Sequence, residues 1–379
     1  MILTNCAACA APLAHNAPRC VRCKLRYLVR RPGRRYCNAT CQHDHWRRGH
    51  KQMCKKIHRG GNAEQYNADK KYKEAVAVAV EACADDTKGQ TCFICTQALH
   101  WKTKEGLVRG CACRGTAGFA HVSCLAEQAK ILCDEAEENN LSNKTFTDRF
   151  GRWYACSLCE QEYHGVVRCA LGWACWKTYV GRLEADWARG AAMTELGLGL
   201  LAADHYEDAL SVQEADLATL RRLGAPEHTI LVTQNNIANT YHELGRLNEA
   251  LSLQRDVYSG WLKLYGEEHE RALRAAYNYA LSFLRLKRFE EVKALLRRKL
   301  PVARRVLGSE HEVTLSIRED LCRATLDGES SAEEKREALR MLEEIAGVMR
   351  RVMGPAHPNT LNAHSILKFY RRKFPWPTA

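Results

Sequence analysis

Sixteen residues among the first 159 have the types and spacings that bind zinc. The first set is Cys6, Cys9, Cys20, Cys23, Cys37, Cys41, His50 and Cys54. The second is Cys92, Cys95, Cys111, Cys113, His121, Cys124, Cys156 and Cys159. Zinc takes four sulfur or nitrogen ligands in a tetrahedron, and short Cys-x-x-Cys turns supply two of them at low entropic cost. Each set is four pairs, enough for two ions, so the sequence predicts four Zn2+ ions. All positions are filled by protein ligands, which leaves none open for water, so the expected role is structural. His50 and Cys54 are four apart and share one face of a helix. His43 and His45 compete with His50 on spacing, with solvated helix positions as their default.

Disulfides are the competing reading of nineteen cysteines, eighteen of which precede residue 176. No positively charged segment followed by an apolar run opens the chain, so no secretory signal is expected. Two-residue gaps mixed with His suit metal better. The expected location is intracellular, cytoplasmic or nuclear. No run of ~18 apolar residues occurs, so no membrane span is expected. The nearest candidate, 166–180, carries Arg168 and Lys177 and reads as a packed helix. The net charge of +13 is concentrated in residues 1–60, with fourteen Lys/Arg against Asp44. Such a patch suits nucleic acid or an acidic partner. Zinc-bound thiolates are negative, however, and basic neighbours offset them, which is the stronger reading. Nucleic acid is not the expected partner. The run Arg30-Arg31-Pro32-Gly33-Arg34-Arg35 also fits a nuclear-import patch. No Ser-His-Asp set, phosphate loop or carboxylate pair stands out.

The elements that must position these residues divide the chain into five parts. Residues 1–58 hold the first set, 59–87 a linker helix, and 88–165 the second set. Residues 166–189 form a helical bridge that Trp173, Trp176 and Trp187 are expected to bury against its neighbours. A repeat fills 190–379. Gly224, Gly266, Gly308 and Gly354, spaced 42, 42 and 46, each open a short link that ends in His228, His269, His311 or His357. A period in this range marks a solenoid. Within 230–264, Ile237, Ala238, Tyr241 and Leu244 form one helical stripe, Gly245 opens a turn, and Ala250, Leu251, Leu253 and Val257 form a second. The linking glycines suit a left-handed position after a helix. The last unit keeps one helix, about 359–372, as a cap. Cys83, Cys133, Cys169, Cys175 and Cys322 are expected to be small buried hydrophobes.

Three resemblances follow. Tyr36-Cys37, Cys41-Gln42, Trp46, His50-Lys51 and Cys54, after two Cys-x-x-Cys pairs, resemble the MYND-type zinc finger. That likeness implies one zinc on Cys6, Cys9, Cys37 and Cys41 and one on Cys20, Cys23, His50 and Cys54. The block from Cys111 to Leu125, with Cys92, Cys95, Cys156 and Cys159, looks like the RING-CH (RING-variant) finger. It implies one zinc on Cys92, Cys95, His121 and Cys124 and another on Cys111, Cys113, Cys156 and Cys159. The gap from Cys124 to Cys156 is longer than that family's, and polar or small Glu127, Gln128 and Ala129 stand where it often has Trp. The repeats, best at Asn235-Asn236 through Ala250, resemble the kinesin-light-chain type of tetratricopeptide repeat; Asp204 and Lys287 replace the turn Gly245. The expected fold is mainly α: two small cross-brace zinc modules followed by an α-solenoid of tetratricopeptide-type helix pairs.

These likenesses imply a soluble RING-type ubiquitin ligase. The second module would position a ubiquitin-charged conjugating enzyme, with Ile94 as the contact residue. The MYND finger, whose family often binds short proline-containing peptides, and the repeats would bind protein partners. The alternative is a non-catalytic, zinc-dependent interaction adaptor, which differs at the surface around Ile94. Asn235, Asn236, Asn239 and Asn278 are candidate clamps for a peptide backbone, since an amide side chain both donates and accepts. Packing between helices is the competing role for them.

Overall fold

A computed structural model describes residues 63–375 except 356. All eight residues of the first cysteine set, from Cys6 to Cys54, lie outside the described residues, as do His43, His45 and the Arg30–Arg35 run. The described residues are mainly helical, and their β pairings are two isolated bridges, Val108 with Ala120 and Ala155 with Glu162. No described helix is long and apolar enough to cross a membrane. The chain divides into two compact units, Met1–Leu223 and Gly224–Ala379.

The first unit contains α1 (Ala63–Ala82), α2 (Val122–Glu138), α3 (Asn143–Phe150), a 3-10 turn (Gly151–Trp153), α4 (Gly165–Tyr179), α5 (Trp187–Ala202) and α6 (Tyr206–Leu223). Every residue of α4 from Val167 to Trp176 is buried. A helix that is apolar all round belongs inside, and α4 packs against α1, α2 and α5. Glycines allow the closest of these approaches. A Cβ on Gly172 would stand 2.9 Å from the Glu195 carbonyl oxygen, and one on Gly199 would stand 2.9 Å from that of Arg168. The same interface carries a buried ion pair, Arg168 to Glu195 at 2.5 Å, with the guanidinium over the Tyr154 ring.

One apolar cluster takes in Tyr72, Cys92, Cys111, Cys124, Cys156, Trp173, Leu200 and Val212. The cysteine module therefore shares its core with α1 and with the first helix pair of the repeat region. Helix α1, expected as a linker, is a wall of that core: Ala68, Tyr72, Val76 and Ala79 face inward at helical spacing. Trp173 and Trp176 are buried as expected, but Trp187 is 53% exposed. It opens α5, where its ring meets Phe146 and Phe150 edge-on at centroid distances of 5.3 and 5.2 Å. The unassigned Cys83, Cys133, Cys169, Cys175 and Cys322 are all buried.

The second unit contains α7 (Glu227–Glu243), α8 (Leu247–Tyr265), α9 (Glu270–Arg285), α10 (Phe289–Val306), α11 (Glu312–Asp327), α12 (Ala332–Val352) and α13 (Pro358–Lys373). Each helix packs on the next, and α9 also packs on α11, the pattern of stacked helix pairs. Gly266, Gly308 and Gly354 hold φ of 80°, 95° and 91°, a region closed to most side chains. The histidine that follows each one caps the next helix. The Nδ1 atoms of His269, His311 and His357 accept the backbone N–H of Arg271, Val313 and Asn359 at 3.1, 3.3 and 3.2 Å. The four extra residues of the fourth unit fall in the turn before α12, where Ser331 and Glu334 form a reciprocal capping box.

Candidate functional site

The ligand atoms of Cys92, Cys95, His121 and Cys124 all lie within 4.8 Å of one another, and so do those of Cys111, Cys113, Cys156 and Cys159. The two groups interleave along the chain. Two equivalent turns present the Cys-x-x-Cys pairs. In one, Thr96 N–H donates to the Cys92 carbonyl at 2.8 Å, and Ile94 N–H to the Cys92 sulfur at 3.4 Å. In the other, Glu160 N–H donates to the Cys156 carbonyl at 2.9 Å, and Leu158 N–H to the Cys156 sulfur at 3.4 Å. Thr96 and Glu160 both take left-handed φ, 62° and 58°, to close these turns. Gly118 lies against the second group: at φ 83° its Cβ would be 2.6 Å from Cys113 Cβ and 3.1 Å from Cys111 Sγ.

His121 is the N-cap residue of α2. Its Nδ1 lies 3.4 Å from Cys95 Sγ and 3.6 Å from Cys124 Sγ. Its Nε2 lies 3.4 Å from the Ala98 carbonyl oxygen, which can only accept. The proton therefore sits on Nε2, and the Nδ1 lone pair faces the thiols, as a metal-binding imidazole requires. Burial lowers the His121 pKa and favours the neutral, ligating ring. Glu105 holds the same helix start, accepting from Ser123 N at 2.7 Å and Ser123 Oγ at 2.8 Å, while the Tyr72 hydroxyl joins from α1 at 3.1 Å. A carboxylate there also meets the positive end of the helix. Sequence spacing gave no sign of Glu105, which is a lone acid in a loop.

Four sulfurs this close cannot all be anions without a cation among them. Hydrogen bonding from Cys111 draws Cys156 down to about 4, while the same bond, with burial, pushes Cys111 far up. Burial pushes Cys113 up to about 12, and burial next to Cys92 raises Cys124. A divalent cation would offset this repulsion. Thiolate and imidazole donors, four to a group, suit Zn2+. Both groups could hold zinc, which would supply folding free energy and leave no position open for catalysis.

The module also presents apolar side chains to solvent. Ile94 is 37% exposed, and Leu158, at the equivalent place in the second Cys-x-x-Cys turn, is more so, as is Trp101. Sequence reasoning singled out Ile94 and missed the other two. On α2, Glu127 is exposed, Gln128 is half-buried and Ala129 is buried, so no aromatic side chain projects there.

Three of the four candidate asparagines bond to their neighbours. Asn235 Oδ1 accepts from Asn278 Nδ2 at 2.8 Å and from Gln254 Nε2 at 3.2 Å, and Asn239 Oδ1 accepts from Gln254 Nε2 at 3.3 Å. They pin α7 to α8 and α9. The Asn236 side chain makes no hydrogen bond among the described residues.

With this geometry in hand, the likenesses to known proteins fall on the repeats. The family model for the tetratricopeptide repeat matches residues 229–305, in α7 to α10. No MYND-type or RING-CH family model matches, and no curated protein matches the chain. Among solved structures, the TPR-like repeats of a protein described as a kinesin light chain from Podosopora anserina are similar at 20% identity and TM-score 0.39, over 62% of this chain and 98% of that one. BtubC from P. vanneervenii is similar at 12% identity and TM-score 0.35, over 68% and 94%. Tetratricopeptide repeats are protein-interaction elements, and the match suggests protein–protein interaction for residues 229–305.

Proposed function

We propose that the protein is a zinc-dependent RING-type ubiquitin ligase. In this reading the module of residues 88–165 holds a ubiquitin-charged conjugating enzyme, and the repeats, with the 1–58 finger, hold protein partners. The observation that carries it is the interleaved grouping of eight ligands around two centres, with Ile94 projecting from the first Cys-x-x-Cys turn. No group on this chain attacks the thioester. The ligase orders the donor so that a substrate lysine attacks the ubiquitin carbonyl and the conjugating enzyme's thiol leaves. The gain is positional.

A second reading, an adaptor that binds without catalysing, draws on one feature. On α2, where the RING-CH family often has Trp, Glu127 is exposed, Gln128 is half-buried and no aromatic side chain stands. The deciding experiment is discharge of ubiquitin from a panel of charged conjugating enzymes by the zinc-loaded protein, with Ile94→Ala beside it. Accelerated discharge that Ile94→Ala abolishes supports the ligase. No acceleration across the panel by fully zinc-loaded protein supports the adaptor.

A further inference from the structure

In the second unit, successive first helices of the repeats are joined by polar rungs. Asn235 to Asn278, His242 to Ser282 and Glu243 to Arg285 link α7 and α9 at 2.8, 2.8 and 2.7 Å. Arg274 to Glu312 links α9 and α11 at 3.6 Å. Asn236, Asn278 and Asp320 occupy the same register, each 42 residues on from the last. Asn235, Tyr277 and Glu319 form the adjacent row at the same interval. What is amide on α7 thus becomes a pair of carboxylates on α11.

That pair is short of donors. Glu319 is 6% exposed and Asp320 2%. Asp320 Oδ1 accepts from Arg323 at 2.9 Å, but its buried Oδ2 has no partner, and Glu319 makes no hydrogen bond. Arg285, the next cation, is engaged with Glu243. One guanidinium therefore faces two carboxylates. The buried cations of the same unit are matched: Lys293 by Glu290, Lys299 by Glu267 and Arg318 by Glu344. Buried carboxylates without a counter-charge are costly. Consistently, burial, added to by Asp320, pushes Glu319 up to about 7, and burial pushes Asp320 up to about 6. On the first of these rows, Asn236 is a half-buried amide whose side chain makes no hydrogen bond among the described residues. Among the described residues, groups of three or more metal-binding side chains occur only at the cysteine centres. Two carboxylates that share one arginine's charge call for another ammonium or guanidinium, not a metal ion.

We propose that Glu319 and Asp320 receive a lysine or arginine side chain of an extended protein segment lying across α7, α9 and α11. This rests on the reading that the repeats hold a protein segment, and it names that segment's chemistry. Asn236 offers a hydrogen-bonding position for its backbone, and the incoming cation completes the charge balance that Arg323 leaves open.

The test uses the full-length, zinc-loaded chain and three pools of labelled, end-blocked random peptides about seven residues long. The pools carry lysine, glutamate or norleucine at the centre. The central-lysine pool should bind about tenfold more tightly than the norleucine pool. Glu319→Gln with Asp320→Asn should remove that preference while norleucine-pool binding remains. Hydrogen exchange of α11 checks that the variant is folded. Equal binding of the lysine and norleucine pools, or a preference that survives the double substitution, overturns the cation site and leaves the reading that the repeats hold a protein segment. Binding of no pool overturns both.

Discussion

Lys287 holds the left-handed backbone, φ 58°, that Gly245 holds at φ 72° one repeat earlier. The two residues close the same turn between the helices of a pair. The fold demands that conformation whichever residue is there, and a lysine adopts it against its own preference by about 1–2 kcal/mol. Lys287→Gly should therefore stabilise the α9–α10 pair by about 0.5–1 kcal/mol, after the glycine's greater unfolded-state freedom is deducted. Asp204 stands in the corresponding place before α6 at φ 61°, and its carboxylate accepts the Tyr206 hydroxyl at 2.6 Å. Asp204→Gly loses that bond and should gain less. Hydrogen exchange of the flanking helices in the full chain reads both, and a faster exchange in Lys287→Gly would contradict the account.

The histidine caps make a second prediction. His269, His311 and His357 each satisfy a backbone N–H at a helix start through Nδ1. Removing an N-cap side chain costs about 1 kcal/mol. His311→Ala should open the first turn of α11, whereas His311→Asn, which keeps an acceptor, should not. His228, the equivalent residue of the preceding link, lies inside α7, whose N-cap is Pro226. His228→Ala should leave helix protection unchanged, an internal control for the three capping positions.

Much of this arrangement was legible in the sequence because it depends on local spacing. Cys-x-x-Cys turns and a 42-residue period are short-range patterns. Other features depended on tertiary placement. Glu105 reaches Ser123 only because the loop before Val108 folds back over α2. Trp187 looked like core by composition, yet it begins a helix and half of it faces outward. The sequence leaves Asn235 and Asn239 open between peptide clamps and packing, and Gln254 from the next helix, bonded to both, gives them the packing role. The carboxylate pair Glu319 and Asp320 gave no signal as adjacent acids on a helix. Their position in register with Asn235 and Asn236 could have flagged it.

Zinc removal should reach further than the cysteine module. Cys92, Cys111, Cys124 and Cys156 share one core with α1, α4, α5 and α6. Chelation should therefore raise hydrogen exchange through the first unit up to Leu223 and spare α9 to α13. Rebinding should release protons. Burial holds the Cys113 and Cys124 thiols above the usual range, so they keep their protons near neutrality in the metal-free cluster. Zinc must displace the protons that remain, so apparent affinity rises with pH. Titration in two buffers of different ionisation enthalpy measures the release, and a pH-independent affinity would count against thiolate ligation.

Glu319 yields a stability prediction whose sign reverses the usual carboxylate case. Its folded pKa, about 7, lies above the ordinary 4.5 because burial penalises the charged form. The folded state therefore holds the proton more tightly than the unfolded state does. At pH 8 the ionised side chain destabilises the second unit. As pH falls through 7 the group protonates and the penalty fades, disappearing near the ordinary carboxylate value. Glu319→Gln removes the charge and keeps the shape. It should stabilise α11 at pH 8 by about 1–3 kcal/mol and by only about a quarter of that at pH 5. Hydrogen exchange of α11 at the two pH values, corrected for the intrinsic rate, separates this from a packing effect, which would be the same at both. A bound cationic peptide should shrink the gain at pH 8, because it meets the charge that the substitution removes.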